Sequence, residues 1–226
     1  NGFKIFNGSA YNGGGINCNN SNPSLIDLII ENNSANENGG GIYLDNSTPS
    51  IVNCEILGNN CMGNGGGGIY ASGPYLDIEN SKINYNTGTK GSAIRGGGLI
   101  RNSQFMGNSG NNTIYQNNNV DVIIENCNFQ ENISYFGTIE CRGNVLISDS
   151  YFLNNFAEGT GGALSITWGT TTINNVLIAK NTSQGHGGAI FISEIGGILI
   201  SNNSTIVDNN SINGNGALEF SQGGGE

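Results

Sequence analysis

His186 is the only histidine of the 226-residue chain and lies in the run Gly185-His186-Gly187. An imidazole can serve as general acid or base, but glycoside hydrolysis also needs a pair of carboxyl groups flanking the scissile bond. The sequence contains no Asp-Asp pair and no Arg-x-Lys element, and His186 falls in a variable segment that reads as an exposed turn. Lyase chemistry would place a cationic base beside a cluster of calcium-binding carboxylates. Arg95, Arg101 and Arg142 are the only arginines, and Arg101 occupies the same repeat position as Glu79 and Glu125 in the flanking repeats, which predicts a charge-alternating stripe. Opposite charges side by side on a sheet are a sufficient structural reason for that pattern. The lone histidine has no CxxC or second histidine near it, so metal-ligand spacing is absent. Asp45, Asp77, Asp121, Glu158 and Asp208 are scattered among turns, where an incidental calcium ion is the most they predict. No catalytic residue, cofactor or dedicated metal site is therefore expected, and the chain reads as leaning away from an enzyme.

The elements that position these residues announce themselves by repetition. A Gly-Gly-Gly-Ile phrase at Gly39 to Ile42 and Gly66 to Ile69 loosens to Gly161-Gly162-Ala163-Leu164 and Gly187-Gly188-Ala189-Ile190. Its last residue recurs as Ile16, Ile42, Ile69, Ile94, Ile114, Ile139, Leu164, Ile190 and Leu218, a period of about 25 residues. Between the copies runs a second phrase of constant length, apolar, any, Asn, small, any, apolar, any, any, Asn, as in Ile51 to Asn59, Ile78 to Asn86 and Ile124 to Asn132. Short apolar alternation, β-branched residues and abundant Gly, Asn and Ser exclude helices. The reading is an all-β, single-stranded parallel β-helix, a solenoid of about nine turns with three short strands and three bends each.

Equivalent residues should stack into columns. Ile30, Ile56, Ile83, Phe105, Phe129, Phe152, Ile178 and Ile206 form one inward stack, and the phrase-ending residues another. Two asparagine columns are predicted at the bends as hydrogen-bonded ladders, because Asn tolerates left-handed backbone and its amide both donates and accepts. One comprises Asn53, Asn80, Asn102, Asn126, Asn175 and Asn203, with Asp27 and Asp149 substituting; the other comprises Asn33, Asn59, Asn86, Asn108, Asn132, Asn155, Asn181 and Asn209, preceded by Gly8. Of Cys18, Cys54, Cys61, Cys127 and Cys141, Cys54 shares a repeat position with Cys127 and Cys18 with Cys141, several turns apart and too far for disulfides, and all five read as buried thiols.

Two outward stripes remain free for function. Tyr43, Tyr70, Arg95, Tyr115, Glu140 and Phe191 follow the phrase-ending residues and form a candidate glycan-binding face. Tyr151, Leu153, Leu177, Ala179 and Val207 form a candidate contact stripe for a flanking segment, domain or neighbouring subunit.

The copies Phe105-Met106-Gly107-Asn108, Phe129-Gln130-Glu131-Asn132 and Phe152-Leu153-Asn154-Asn155, with Gly161-Gly162-Ala163-Leu164 and Gly187-Gly188-Ala189-Ile190, resemble the FxxN and GGA(I/L/V) motifs of chlamydial polymorphic outer-membrane protein repeats. More broadly the chain resembles the repeats of right-handed β-helix surface proteins with the pectin lyase fold. That resemblance implies right-handed winding and a secreted, often adhesive role. It also raises the enzymes of the same fold, since Gly185-His186-Gly187 is similar to an element of polygalacturonases, whose companion acidic motifs the chain lacks.

The formal net charge of −10 and pI near 4.3 argue against nucleic acid and anionic membrane surfaces as partners. No apolar run is long enough to span a membrane. The chain starts at Asn1 and stops at Glu226 within the repeating pattern, which predicts one β-helix domain over 1–226 excerpted or processed from a longer protein. The expected role is an extracellular or cell-surface adhesin, stalk or binding scaffold, partnered by copies of itself, by flanking domains or by glycan. The alternatives are a filament subunit stacking end to end through open strand edges, and a polysaccharide-binding or polysaccharide-degrading protein.

Overall fold

The structure is a computed structural model that describes residues 2–73, 75–116 and 120–221. Asn1 and residues 222–226, on which the reading of the chain ends partly rests, lie outside the described residues. Each coil contributes strands that pair only in parallel with the equivalent strands of the coils before and after, giving an all-β solenoid of about eight turns of about 26 residues. Every recurrence of the Ile phrase is in register: Ile16 pairs Ile42, Ile42 pairs Ile69, and the series continues to Leu218.

One nine-stranded sheet runs from Lys4–Phe6 to Thr205–Val207 and a second from Ser9–Asn12 to Asn210–Ser211. The remaining strands form two further ladders, beginning at Ile16–Asn19 and Ser24–Ile26, so a turn carries four short strands rather than the three expected. These two ladders fuse through the 11-residue strand Leu164–Asn174 into a 16-stranded sheet.

The core is the set of inward columns. Phe105, Phe129 and Phe152 stack with ring centroids 4.7 and 4.6 Å apart and nearly parallel planes, continued on either side by Ile30, Ile56, Ile83 and Ile178, all fully buried. Burying each such side chain contributes roughly 1.5–3 kcal/mol. The glycines of the first phrase sit where turns crowd together: a Cβ on Gly40 would lie 2.3 Å from the Asn60 carbonyl oxygen, and one on Gly67 equally close to that of Thr87. Any side chain there would force adjacent turns apart.

The predicted ladders divide into two kinds. The column from Asn33 to Asn209 is buried over most of its length and continuous. In each turn the backbone N–H and the side-chain Nδ2 both donate to the Oδ1 of the next asparagine; for Asn132 the acceptor is Asn155, at 3.0 and 2.9 Å. The second Nδ2 hydrogen goes back one turn, from Asn132 to the Phe105 carbonyl at 2.9 Å, and Gly8 N–H opens the series by donating to Asn33. The left-handed residue at this bend is not the ladder Asn but the one before it. Asn32, Gly58, Tyr85, Gly107, Glu131, Asn154, Lys180 and Asp208 have φ between 53° and 62°. Gly8 likewise is not in the left-handed region; Asn7 is.

At the other bend the asparagines themselves adopt positive φ, from 47° at Asn203 to 57° at Asp27, as expected. This column faces solvent, and among the described residues three side-chain bonds run along it: Asn53 to Asp27, Asn126 to Asn102 at 2.8 Å, and Asn175 to Asp149 at 2.6 Å. It is a row of pairs, not a ladder. The turn-to-turn bonding at this corner is carried instead by the next residue, the small one of the phrase. Backbone N–H groups of Cys54, Ser81, Cys127 and Val176 donate to the hydroxyls of Ser81, Ser103, Ser150 and Ser204 at 3.0–3.1 Å. Those hydroxyls donate in turn to carbonyls two residues back, as Ser103 does to Arg101 at 2.7 Å.

Candidate binding surface

The five cysteines are free and buried. Burial pushes the Cys127 and Cys141 thiols up to about 12, and raises those of Cys18, Cys54 and Cys61, so thiolate chemistry at neutral pH is suppressed. Cys54 and Cys127 occupy the small-residue column, where each sulfur lies 3.3 Å from a backbone carbonyl oxygen, that of Leu25 and that of Glu125 respectively.

His186 is half-exposed and its Nδ1 lies 2.7 Å from Glu219 Oε1. The second carboxylate oxygen of Glu219 accepts from Gly187 N–H at 3.0 Å and Asn215 N–H at 3.1 Å. Burial alone would raise the Glu219 pKa, but these donors together with His186 hold it below its ordinary value. The pair fastens the last described turn to the one before it. Arg101 reaches Asp77 at 3.2 Å and Glu79 at 3.4 Å, with Glu125 beside it in register, as the charge-alternating stripe requires. Among the described residues no three His, Cys, Asp or Glu side chains converge into a metal-holding group.

The Tyr43 stripe is one column: Tyr43 pairs Tyr70, then Arg95, Tyr115, Glu140, Ser165 and Phe191. Its rings face along the solenoid axis. Tyr43 and Tyr70 stack at 5.4 Å with planes 12° apart, and Arg95 lies 5.1 Å over Tyr70 and 5.8 Å over Tyr115. Lys90 and Arg142 also sit against the Tyr115 ring, at 5.4 and 5.5 Å, and Arg142 Nη1 donates to the Tyr115 hydroxyl at 2.5 Å. Neighbours therefore occupy the ring faces, and ring edges, phenol oxygens and guanidinium groups reach the surface. Tyr115 is buried in this packing, while Tyr43, Tyr70, Arg95 and Phe191 stay half-exposed. Burial raises the Glu140 carboxyl pKa, against the opposing pull of Arg142, Asn112 and Lys90.

The contact stripe resolves into two adjacent columns of the first sheet, Tyr151 with Leu177, and Leu153 with Ala179 and Val207. Tyr151 and Val207 are exposed, Leu153 and Leu177 half-buried, and Ala179 buried, which interrupts the apolar surface. A second apolar row, Leu99, Ile123 and Leu146, lies on the outer side of the fourth ladder and was missed because its members are separated by inward residues equally apolar.

A concave surface was also missed. Three shallow hollows of about 580, 350 and 340 Å³ lie end to end along the exposed asparagine corner. Asn80 and Lys82 line both the first and the second, and Asn126 and Tyr151 both the second and the third, so the three make one groove. Its signal was in the phrase: a left-handed Asn followed by a small, inward residue leaves nothing to fill the corner.

A model of the right handed beta helix region matches residues 14–182. The chain belongs to this right-handed β-helix family. Residues 175–193 of the β-helix also match the Chlamydia polymorphic membrane protein repeat, covering one FxxN-type bend and one Gly-Gly-Ala-Ile segment. No curated protein and no solved structure matches the chain significantly. No helix of the described residues is long and apolar enough to cross a membrane.

Proposed function

We propose that this β-helix is a non-enzymatic binding scaffold of an extracellular or cell-surface protein, an adhesin or stalk, and that the Tyr43 to Phe191 column contacts carbohydrate. The observation that carries the reading is the concentration of cations there. Three of the seven Lys and Arg residues, Lys90, Arg95 and Arg142, converge on the Tyr115 ring of a chain whose net charge is −10. Arg142 and Lys90 also offset the charge of the part-buried Glu140 carboxylate, and the surface edge of the cluster presents donors to a ligand. Because ring faces are occupied, contacts on this face are hydrogen bonds from guanidinium and phenol groups rather than ring stacking. The likeness of residues 175–193 to a membrane-protein repeat supports the surface location.

A glycan array probed with the wild type and with Arg95→Ala and Tyr43→Ala/Tyr70→Ala variants tests this. Selective glycan binding lost in the variants is expected. Binding equal in all three proteins, or to no glycan, would overturn the assignment of this face.

A further inference from the structure

The groove along the exposed asparagine corner is separate from the Tyr43 column, and its chemistry differs. Its floor is a row of polar side chains, one per turn, the amides of Asn53, Asn80, Asn102, Asn126, Asn175 and Asn203 with the carboxylates of Asp27 and Asp149, and the solvent-facing amides use only part of their capacity on their neighbours. An amide offers two donors and two acceptor lone pairs, so one bond to a neighbour leaves most of them for a ligand. The row repeats at the spacing of parallel strands, about 4.8 Å. Along one wall Tyr151 is 46% exposed, and its column neighbours are Asn128 and Leu177, so its ring is not stacked between aromatic or guanidinium groups as Tyr70 is. In the same wall Asn128 Oδ1 is buried without a hydrogen-bond partner. A buried acceptor left unmade is destabilising, and a ligand hydroxyl would offset that.

We propose that this groove binds an uncharged, extended β-1,4-linked polysaccharide, lying parallel to the solenoid axis with one sugar unit per turn. The spacing discriminates among polymers. An extended peptide advances about 3.3 Å per residue and falls out of step with the turns, whereas a pyranose unit of an extended chain keeps pace with them. Charge discriminates as well: Asp27 and Asp149 lie in the floor, and the one cation in the walls among the described residues, Lys82, is paired with Glu55 at 2.8 Å. Polyanions are therefore disfavoured here. Sugar hydroxyls supply donors and acceptors to the successive amides, and Tyr151 offers a ring to an apolar sugar face.

The test is titration calorimetry with cello-oligosaccharides and chito-oligosaccharides from the disaccharide to the hexasaccharide, with maltohexaose and hexagalacturonate as the bent and acidic controls. Affinity for one straight neutral series should rise with each added unit and exceed that for both controls. Tyr151→Ala, and separately Asn102→Gly/Asn126→Gly, should each weaken hexasaccharide binding about tenfold, since a lost stacking contact or two hydrogen bonds are worth about that factor. Glycine keeps the left-handed bend, so the second variant removes amides without disturbing the backbone. Both groove variants leave the Tyr43 column untouched, so a loss in them is separate from the face assigned above, and Glu158→Gln, exposed and outside both, should leave this binding unchanged. Absence of binding, affinity independent of length, preference for hexagalacturonate, or full binding by both groove variants would overturn the proposal. So would concentration-dependent dimerisation, seen by sedimentation and abolished by the same variants, because the groove would then hold a second copy of the chain.

Discussion

The two asparagine columns place one residue type at two bends of the same coil, with opposite consequences. At the bend from Asn33 to Asn209 each amide from Asn59 to Asn181 is sealed under the coil, donates both hydrogens and accepts twice, and the strained residue is its predecessor. At the bend from Asp27 to Asn203 the asparagine absorbs the left-handed backbone itself, points to water and leaves turn-to-turn bonding to the Ser and Cys beside it. A saturated column can only hold the fold together. An unsaturated one holds the backbone and still has donors and acceptors to offer.

The sharpest way to break this contrast is Asn132→Ala. It strips the acceptor from Asn108 N–H and Nδ2 and the donors from the Phe105 carbonyl and Asn155, all inside the coil. Orphaned buried groups cost about 1–3 kcal/mol each, with partial relaxation, so a loss of about 3–5 kcal/mol in urea unfolding is expected. A loss under about 1 kcal/mol would erase the distinction. Asn126→Ala at the exposed bend should cost only about 1 kcal/mol, most of it the left-handed backbone, and Asn126→Gly still less. Lys180→Asn sharpens the comparison from the other side. Lys180 holds φ 58° only because Asn181 fixes the bend, and a residue more at ease there should raise stability by about 0.5–1 kcal/mol.

Amides do not titrate, so acid sensitivity must come from elsewhere. The Glu219 carboxyl is held below its ordinary value of 4.5 in the folded chain. The stability it supplies is complete above that value and is lost as pH falls through the depressed folded pKa. Protection of residues 210–221 against hydrogen exchange, measured relative to the intrinsic rate at each pH, should thus fall below pH 4.5 before the rest of the coil responds, and Glu219→Gln should remove that acid step.

Much of this was legible in the sequence, because column membership follows from spacing alone: the Phe105, Phe129 and Phe152 stack, the Tyr43 stripe and the Arg101 charge alternation all fall in register as read. What spacing cannot convey is depth. It gave the two asparagine columns equal standing, although burial separates them, and it set the strained position one residue late because the bond that enforces the bend comes from the following side chain. It showed Tyr43 and Tyr70 as neighbours without showing that their faces are turned toward each other. The groove was spelled out by the invariant small residue after Asn53, Asn80, Asn102 and Asn126, but a hollow is a relation between two walls and a floor, and no single column contains it.

The most direct test is hydrogen exchange of asparagine side-chain amides, followed by NMR on the folded protein. The account predicts that the Nδ2 hydrogens of Asn59, Asn86, Asn108, Asn132, Asn155 and Asn181 are strongly protected, while those of Asn53, Asn80, Asn102, Asn126 and Asn175 exchange almost as free amides do. Equal protection in the two sets would show that the exposed column is a closed ladder too, and would leave the groove with nothing to bind by.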